Sequence, residues 1–177
     1  MNLWLTPAQL SALQALVKQE FPNEACGLIG GTIDGELMCA STIVPIPNRA
    51  SDPRSHFVME ESALVRAMLT LETNRQTLIG IYHSHPHSDP IPSHEDINQA
   101  YYPGTAYLIV GKSHIAAWEI HHGDVTSVPI HIGNTRPETS SPSHAVPYAA
   151  LITAVIAFVF ILTLALALLP PPPVIIP

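Results

Sequence analysis

The spacing of apolar residues changes several times along the first 130 positions, and each change predicts an element. Leu10, Leu13, Leu16 and Val17 recur at helical spacing behind Thr6-Pro7, a cap followed by a first-turn proline. That helix is expected to end before Pro22-Asn23. Two apolar runs, Cys26 to Gly31 and Leu37 to Val44, flank Asp34-Gly35 and predict a hairpin. Pro45 to Ser55 reads as a polar, proline-rich loop and His56 to Met59 as a short strand. Leu64, Met68 and Leu71 stripe a second helix over Glu60 to Asn74, with acidic residues in its first turn. Thr77 to His83 predicts a strand, and Ser93 or His94 caps a short third helix through Gln99. Three further strands are expected at Tyr107 to Val110, Ile115 to Ile120 and Val125 to Ile132. Strands interleaved with helices in this way predict an α+β domain, a curved mixed sheet with helices packed outside it.

The pattern then changes character. Residues 134–148 are rich in Ser, Thr and Pro without apolar period, which predicts a flexible linker. Residues 149–169 contain no charge, and two threonines are their most polar side chains apart from Tyr148 just before them. At helical rise those 21 residues reach about 30 Å, the thickness of a bilayer core, so a transmembrane helix is expected there. A Pro-rich tail occupies 170–177. The domains expected are therefore 1–133, a 134–148 linker, a 149–169 span and a 170–177 tail. Met1-Asn2-Leu3-Trp4 lacks the basic start of a signal peptide. Arg136 is the last basic residue before the span, so the catalytic domain is expected to face the cytoplasm as a C-terminally anchored protein.

Seven Lys and Arg against fourteen Asp and Glu give a net charge of −7, which argues against nucleic acid as a partner. Cys26 and Cys39 form neither a disulfide framework nor a C-x-x-C metal site. Cys26 lies in an apolar strand, where a buried, inert thiol is expected instead of a nucleophile. Ten histidines exceed what packing needs, and four of them fall between 83 and 94.

Those four belong to the segment H-S-H-P-H-S-D-P-I-P-S-H-E-D, His83 to Asp96. Residues i and i+2 of a strand point the same way, so His83 and His85 can aim two imidazoles at one point. Asp96 can return to that point from the helix that starts near Ser93. Two nitrogens and one carboxylate oxygen make a zinc site with one coordination position left open. His87, Asp89 and His94 also carry metal-compatible groups, but three protein ligands suffice and a hydrophilic loop around a cleft is the expectation for them. Ser84 points to the opposite sheet face and reads as a packing or supporting residue. His121-His122 reads as a turn, and His56, His114 and His131 as structural or solvated.

The segment H-S-H-P-x6-S-x2-D, preceded by Glu24 in E-A-C-G-L-I-G-G, resembles the JAMM (MPN-plus) zinc metallopeptidases, and within them the small prokaryotic branch. The resemblance covers roughly Leu3 to Ile132. It implies the MPN/JAB-like α+β fold and one Zn2+ on His83, His85 and Asp96. It also implies water on that zinc as nucleophile, Glu24 as the base and Ser93 as a donor to the oxyanion. The implied reaction is hydrolysis of a peptide or isopeptide bond at the C-terminus of a ubiquitin-like or sulfur-carrier protein. The alternative is a membrane-anchored, non-catalytic MPN scaffold that only binds partners. Scaffolds of that kind usually lack the ligands that stand here.

Overall fold

A computed structural model describes residues 1–137. The elements run β1 (Asn2–Leu5), α1 (Pro7–Glu20), β2 (Cys26–Asp34), β3 (Leu37–Ile46), α2 (Glu61–Thr73), β4 (Thr77–Ser84), α3 (His94–Asn98), β5 (Ala106–Val110), β6 (Ile115–His121), β7 (Asp124–Val128) and β8 (Ile130–Ile132). The strands form one mixed eight-stranded sheet in the order β7-β6-β5-β4-β2-β3-β1-β8. β4 lies inside it, antiparallel to β2 and parallel to β5. The expected α+β class and mixed sheet are what the chain adopts.

Helices cover both faces. Leu13 of α1, with Leu16 and Val17 beside it, packs into one core with Leu3, Leu5, Ile29, Met38 and Leu108. Ala67 and Leu71 of α2 pack into a second core with Leu28, Ile46, Ile81 and Tyr107, which Ile97 of α3 joins at its edge. Thr6 caps α1 in a full capping box with Gln9, which satisfies backbone donors that the first turn leaves free. At Gly27 a Cβ would overlap the Val44 carbonyl oxygen and the Tyr82 ring. Only glycine lets β2, β3 and β4 approach this closely beside the future site.

Four local expectations are corrected. β1 was not expected: its two core residues, Leu3 and Leu5, are too few to show a period, yet both are fully buried, and β1 pairs in parallel with β3 and β8. His56 to Met59 is not a strand, and only a single Asn48–Met59 bridge forms there. The Asn48 side chain takes the backbone bonds a neighbouring strand would have made, accepting from Ala50 and Val58 and donating to the carbonyls of Glu24 and His56. The strand expected over Val125 to Ile132 breaks at Pro129, which has no N–H for the ladder. β7 and β8 consequently sit at opposite ends of the strand order although one residue separates them, so the sheet must curl until its two ends approach. Finally, His85 stands one residue beyond the end of β4, not within it.

Among the described residues no helix is long and apolar enough to cross a membrane. The expected span at 149–169, the tail at 170–177 and the linker from 138 onward lie outside the described residues.

Candidate metal centre

His83 enters from β4, flanked in register by Cys26 of β2 and Ile109 of β5, and is 1% exposed. His85 follows the strand, but its N–H still donates to the Val110 carbonyl at 2.9 Å, which extends the strand direction by one residue. The side-chain alternation therefore survives past the formal strand end. Asp96 returns from the first turn of α3, where Ser93 is the N-cap. Asp96 N–H donates to Ser93 Oγ at 3.1 Å, and Ser93 N–H donates to Asp96 Oδ2 at 2.7 Å. This capping box fixes the carboxylate against the helix start.

Three ligand atoms meet as a result. His83 Nε2 and His85 Nε2 are 3.1 Å apart, with Asp96 Oδ1 3.3 Å from the first and Asp96 Oδ2 3.5 Å from the second. A tetrahedral ion with bonds of about 2.0–2.1 Å has ligand–ligand edges of roughly 3.3–3.4 Å. The individual spacings are close to such an edge, and each of the three side chains offers one atom within 4.8 Å of the others, so they form a group that can hold a metal ion.

The tautomers suit that use. His85 Nδ1 lies 3.0 Å from the Asp89 carbonyl oxygen, which can only accept, so Nδ1 carries a proton and Nε2 is the atom that offers a lone pair when the ring is neutral. The His83 ring stacks on Phe57, with centroids 4.5 Å apart and planes at 22°. Burial drives the His83 pKa down and keeps that imidazole neutral. Burial also acts to lower His85, but contacts with Asp96 and the Asp89 carbonyl outweigh it and hold its pKa up. At Asp96 burial acts to raise the pKa, and the two imidazoles overcome it, leaving the carboxyl far below the usual carboxylate range.

Glu24 is 5% exposed and lines the same cavity, about 250 Å³ in volume, as His85, Ser93 and Asp96. Its backbone is held on both sides: the N–H donates to Pro53 and the carbonyl accepts from Asn48. Desolvation raises its pKa from 4.5 to about 7, against the opposing pull of His85. Ser84 supports it from the other sheet face. Ser84 Oγ accepts the N–H of Ala25 at 2.9 Å, and the Ser84 N–H donates back to the Ala25 carbonyl.

The remaining residues singled out by sequence divide clearly. His87, Asp89 and His94 are exposed and contribute no atom to the metal triangle, although Asp89 supplies its backbone carbonyl. Cys26 is buried, its thiol faces the Ile46 carbonyl at 3.4 Å, and burial pushes its pKa up to about 12. His121 and His122 stack edge-on at the β6–β7 turn, where His122 has φ 52°. His114 and His131 stay away from the centre. His56 is exposed, as a solvated residue would be, but it also lines the metal cavity, and its Nδ1 lies 2.9 Å from Glu95 Oε2. Phe57 was not anticipated. Both come from the loop that Asn48 folds back, and a spacing pattern carries no signal for a contact so distant in sequence.

The sequence and the fold have counterparts in known proteins. A "Desampylase" of Haloferax volcanii is 36% identical over 88 residues, half of this chain and 62% of its own length, so the chain spans less than two thirds of that relative. A protein of Thermus thermophilus named "Probable TtuB-protein conjugate cleaving protease" is 28% identical over 128 residues, covering 72% of this chain and 82% of the relative. The solution structure of a protein from Desulfitobacterium hafniense superposes with a TM-score of 0.68 at 28% identity, over 80% of this chain and 99% of that one. Residues 6–121 match the family described as prokaryotic homologs of the JAB domain, and the chain belongs to that family.

Proposed function

We propose that this chain is a zinc metallopeptidase that hydrolyses a peptide or isopeptide bond at the C-terminus of a ubiquitin-like or sulfur-carrier protein. The observation that carries the reading is the triangle of His83, His85 and Asp96 with the buried Glu24 on the same cavity. In this reading those three side chains hold one zinc ion, which when bound supplies Lewis acidity and makes water acidic near neutral pH. Glu24 takes the proton from the attacking water and hands it to the departing amine, a task suited to a buried carboxylate on the same cavity as the ligands. Ser93 Oγ accepts from Asp96, so its own O–H stays free to donate to the oxyanion. The names of the two relatives, a desampylase and a conjugate cleaving protease, support the substrate class.

The test is direct. Purified full-length protein should hold about one zinc and cleave a conjugate of the ubiquitin-like protein encoded nearest to it. His83→Ala and Asp96→Ala should lose metal and cleavage together. Full activity in Asp96→Ala would sink the assignment.

For residues 149–169 the reading is a membrane span with the domain on the cytoplasmic side, supported by the uncharged apolar run and by Arg136 before it. Protease added to intact cells should leave the domain uncut. Digestion without permeabilisation would reverse the orientation.

A further inference from the structure

A second cavity, about 760 Å³, opens between α1 and the β5–β6 turn. It adjoins the metal cavity, because Pro86 and His87 line both. Its charge is the opposite of the molecule's. The chain carries only two lysines, Lys18 and Lys112, and both line this groove. No Asp or Glu lines it, in a protein of net charge −7, whereas three carboxylates, Glu24, Glu95 and Asp96, line the metal cavity against a single arginine, Arg54. Apolar surface accompanies the positive charge. Phe21 is 59% exposed and meets the His87 ring edge-on at 5.6 Å, and Ile132 is 47% exposed. Exposed apolar side chains beside a positively charged groove are suited to receive a segment that is acidic and partly apolar.

The groove is joined firmly to the metal site. Lys112 N–H donates to the Ser88 carbonyl at 3.0 Å, and a Cβ at Gly111 would collide with Pro90. The wall that carries Lys112 therefore packs directly on the segment that follows His85.

We infer that this groove docks an acidic, partly apolar polypeptide segment of the protein substrate, adjacent to the bond that is cut. The inference rests on the peptidase reading for the word substrate, but the charge and shape of the groove stand apart from it. Two exposed charge pairs at low salt amount to a several-fold to roughly tenfold preference, and screening should erase most of it at high salt.

The experiment uses the full chain in detergent, loaded with zinc, and fluorescein-labelled twelve-residue peptides in which Leu and Phe alternate with Asp and Glu. A matched peptide carries Asn and Gln instead. Anisotropy should show the acidic peptide binding at least fivefold more tightly at low ionic strength. K18E/K112E should abolish that difference, and K18R/K112R should keep it. Equal binding of the two peptides, or an acidic preference that survives K18E/K112E, overturns the inference. So does a dimer that K18E/K112E dissociates, which would assign the groove to a second copy of the chain. A cleavage arm separates the two readings. If conjugates are cut with the same KM whether or not an acidic segment is appended, the docking inference fails alone. If nothing is cut but the acidic preference holds, the catalytic reading fails and the groove stands as a binding site for acidic polypeptide.

Discussion

Ser84 and Ala25 are bonded to each other twice: Ser84 Oγ accepts the Ala25 N–H, and the Ser84 N–H donates to the Ala25 carbonyl, both at 2.9 Å. Ser84 sits between the two histidines of the metal triangle, and Ala25 follows Glu24. This double contact fixes the distance between the residues that would hold the metal and the residue that would move the proton. Ser84→Ala leaves the buried Ala25 N–H without a partner, which costs about 1–3 kcal/mol. Thermal unfolding of the variant should show that loss, and turnover should fall while zinc content stays near one. Ser84→Thr restores the acceptor and should recover both. An Ala variant with wild-type turnover would mean that Glu24 needs no such support.

Glu24 couples pH to stability in the zinc-free protein. Burial raises its folded-state pKa from 4.5 to about 7, so between those values the folded chain binds more protons than the unfolded one. The associated stability is present below about 4.5 and lost as pH rises through about 7. Glu24→Gln removes that dependence. Stripped of metal by chelator, the Gln variant should melt a few degrees higher than the parent at pH 8, with the gap closing toward pH 5. A gap of constant size would show that Glu24 does not titrate in this range.

The same substitution tests the chemistry. Glu24→Gln touches no ligand, so zinc should remain while the rate falls roughly 10²–10⁴-fold. Metal analysis and a cleavage assay on one preparation decide it. A loss of only a few-fold would return Glu24 to the ordinary buried acids.

Phe57 stacks on the buried His83 ring, and supporting contacts of this kind set ligand orientation. Phe57→Ala should weaken zinc roughly 10-fold to 100-fold in competition with a chromophoric chelator, whereas Phe57→Tyr should stay close to the parent. Unchanged affinity in the Ala variant would leave His83 held by its strand alone.

Cys26 neighbours Glu24 and His83 but is buried, with its pKa pushed up to about 12. Folded protein should therefore resist a thiol reagent at pH 8, and denaturant should expose Cys26 together with the buried Cys39. Rapid labelling of Cys26 in the native state would contradict its place in the core.

The α1 and α2 stripes, the hairpin of β2 and β3, the β4 strand and the H-x-H-P-x6-S-x2-D spacing were all readable without a structure, because each is a local matter of period, cap or turn. The convergence of His83, His85 and Asp96 was legible for the same reason, since fourteen consecutive residues carry all three and Ser93 caps the helix that returns the third. Long-range contacts decided the rest. β1 became a strand only because β3 and β8 stood ready to pair with it. Pro129 divided one apolar run between opposite ends of the sheet, an outcome that depends on which partner each half finds. Asn48 turned an expected strand into the loop that brings His56 and Phe57 to the centre. Lys18 and Lys112, 94 residues apart in sequence, share one groove because α1 packs on the face beside the β5–β6 turn. Local pattern specifies elements through backbone geometry. Tertiary packing determines which distant side chains share a cavity, and with them the charge and contacts of the site.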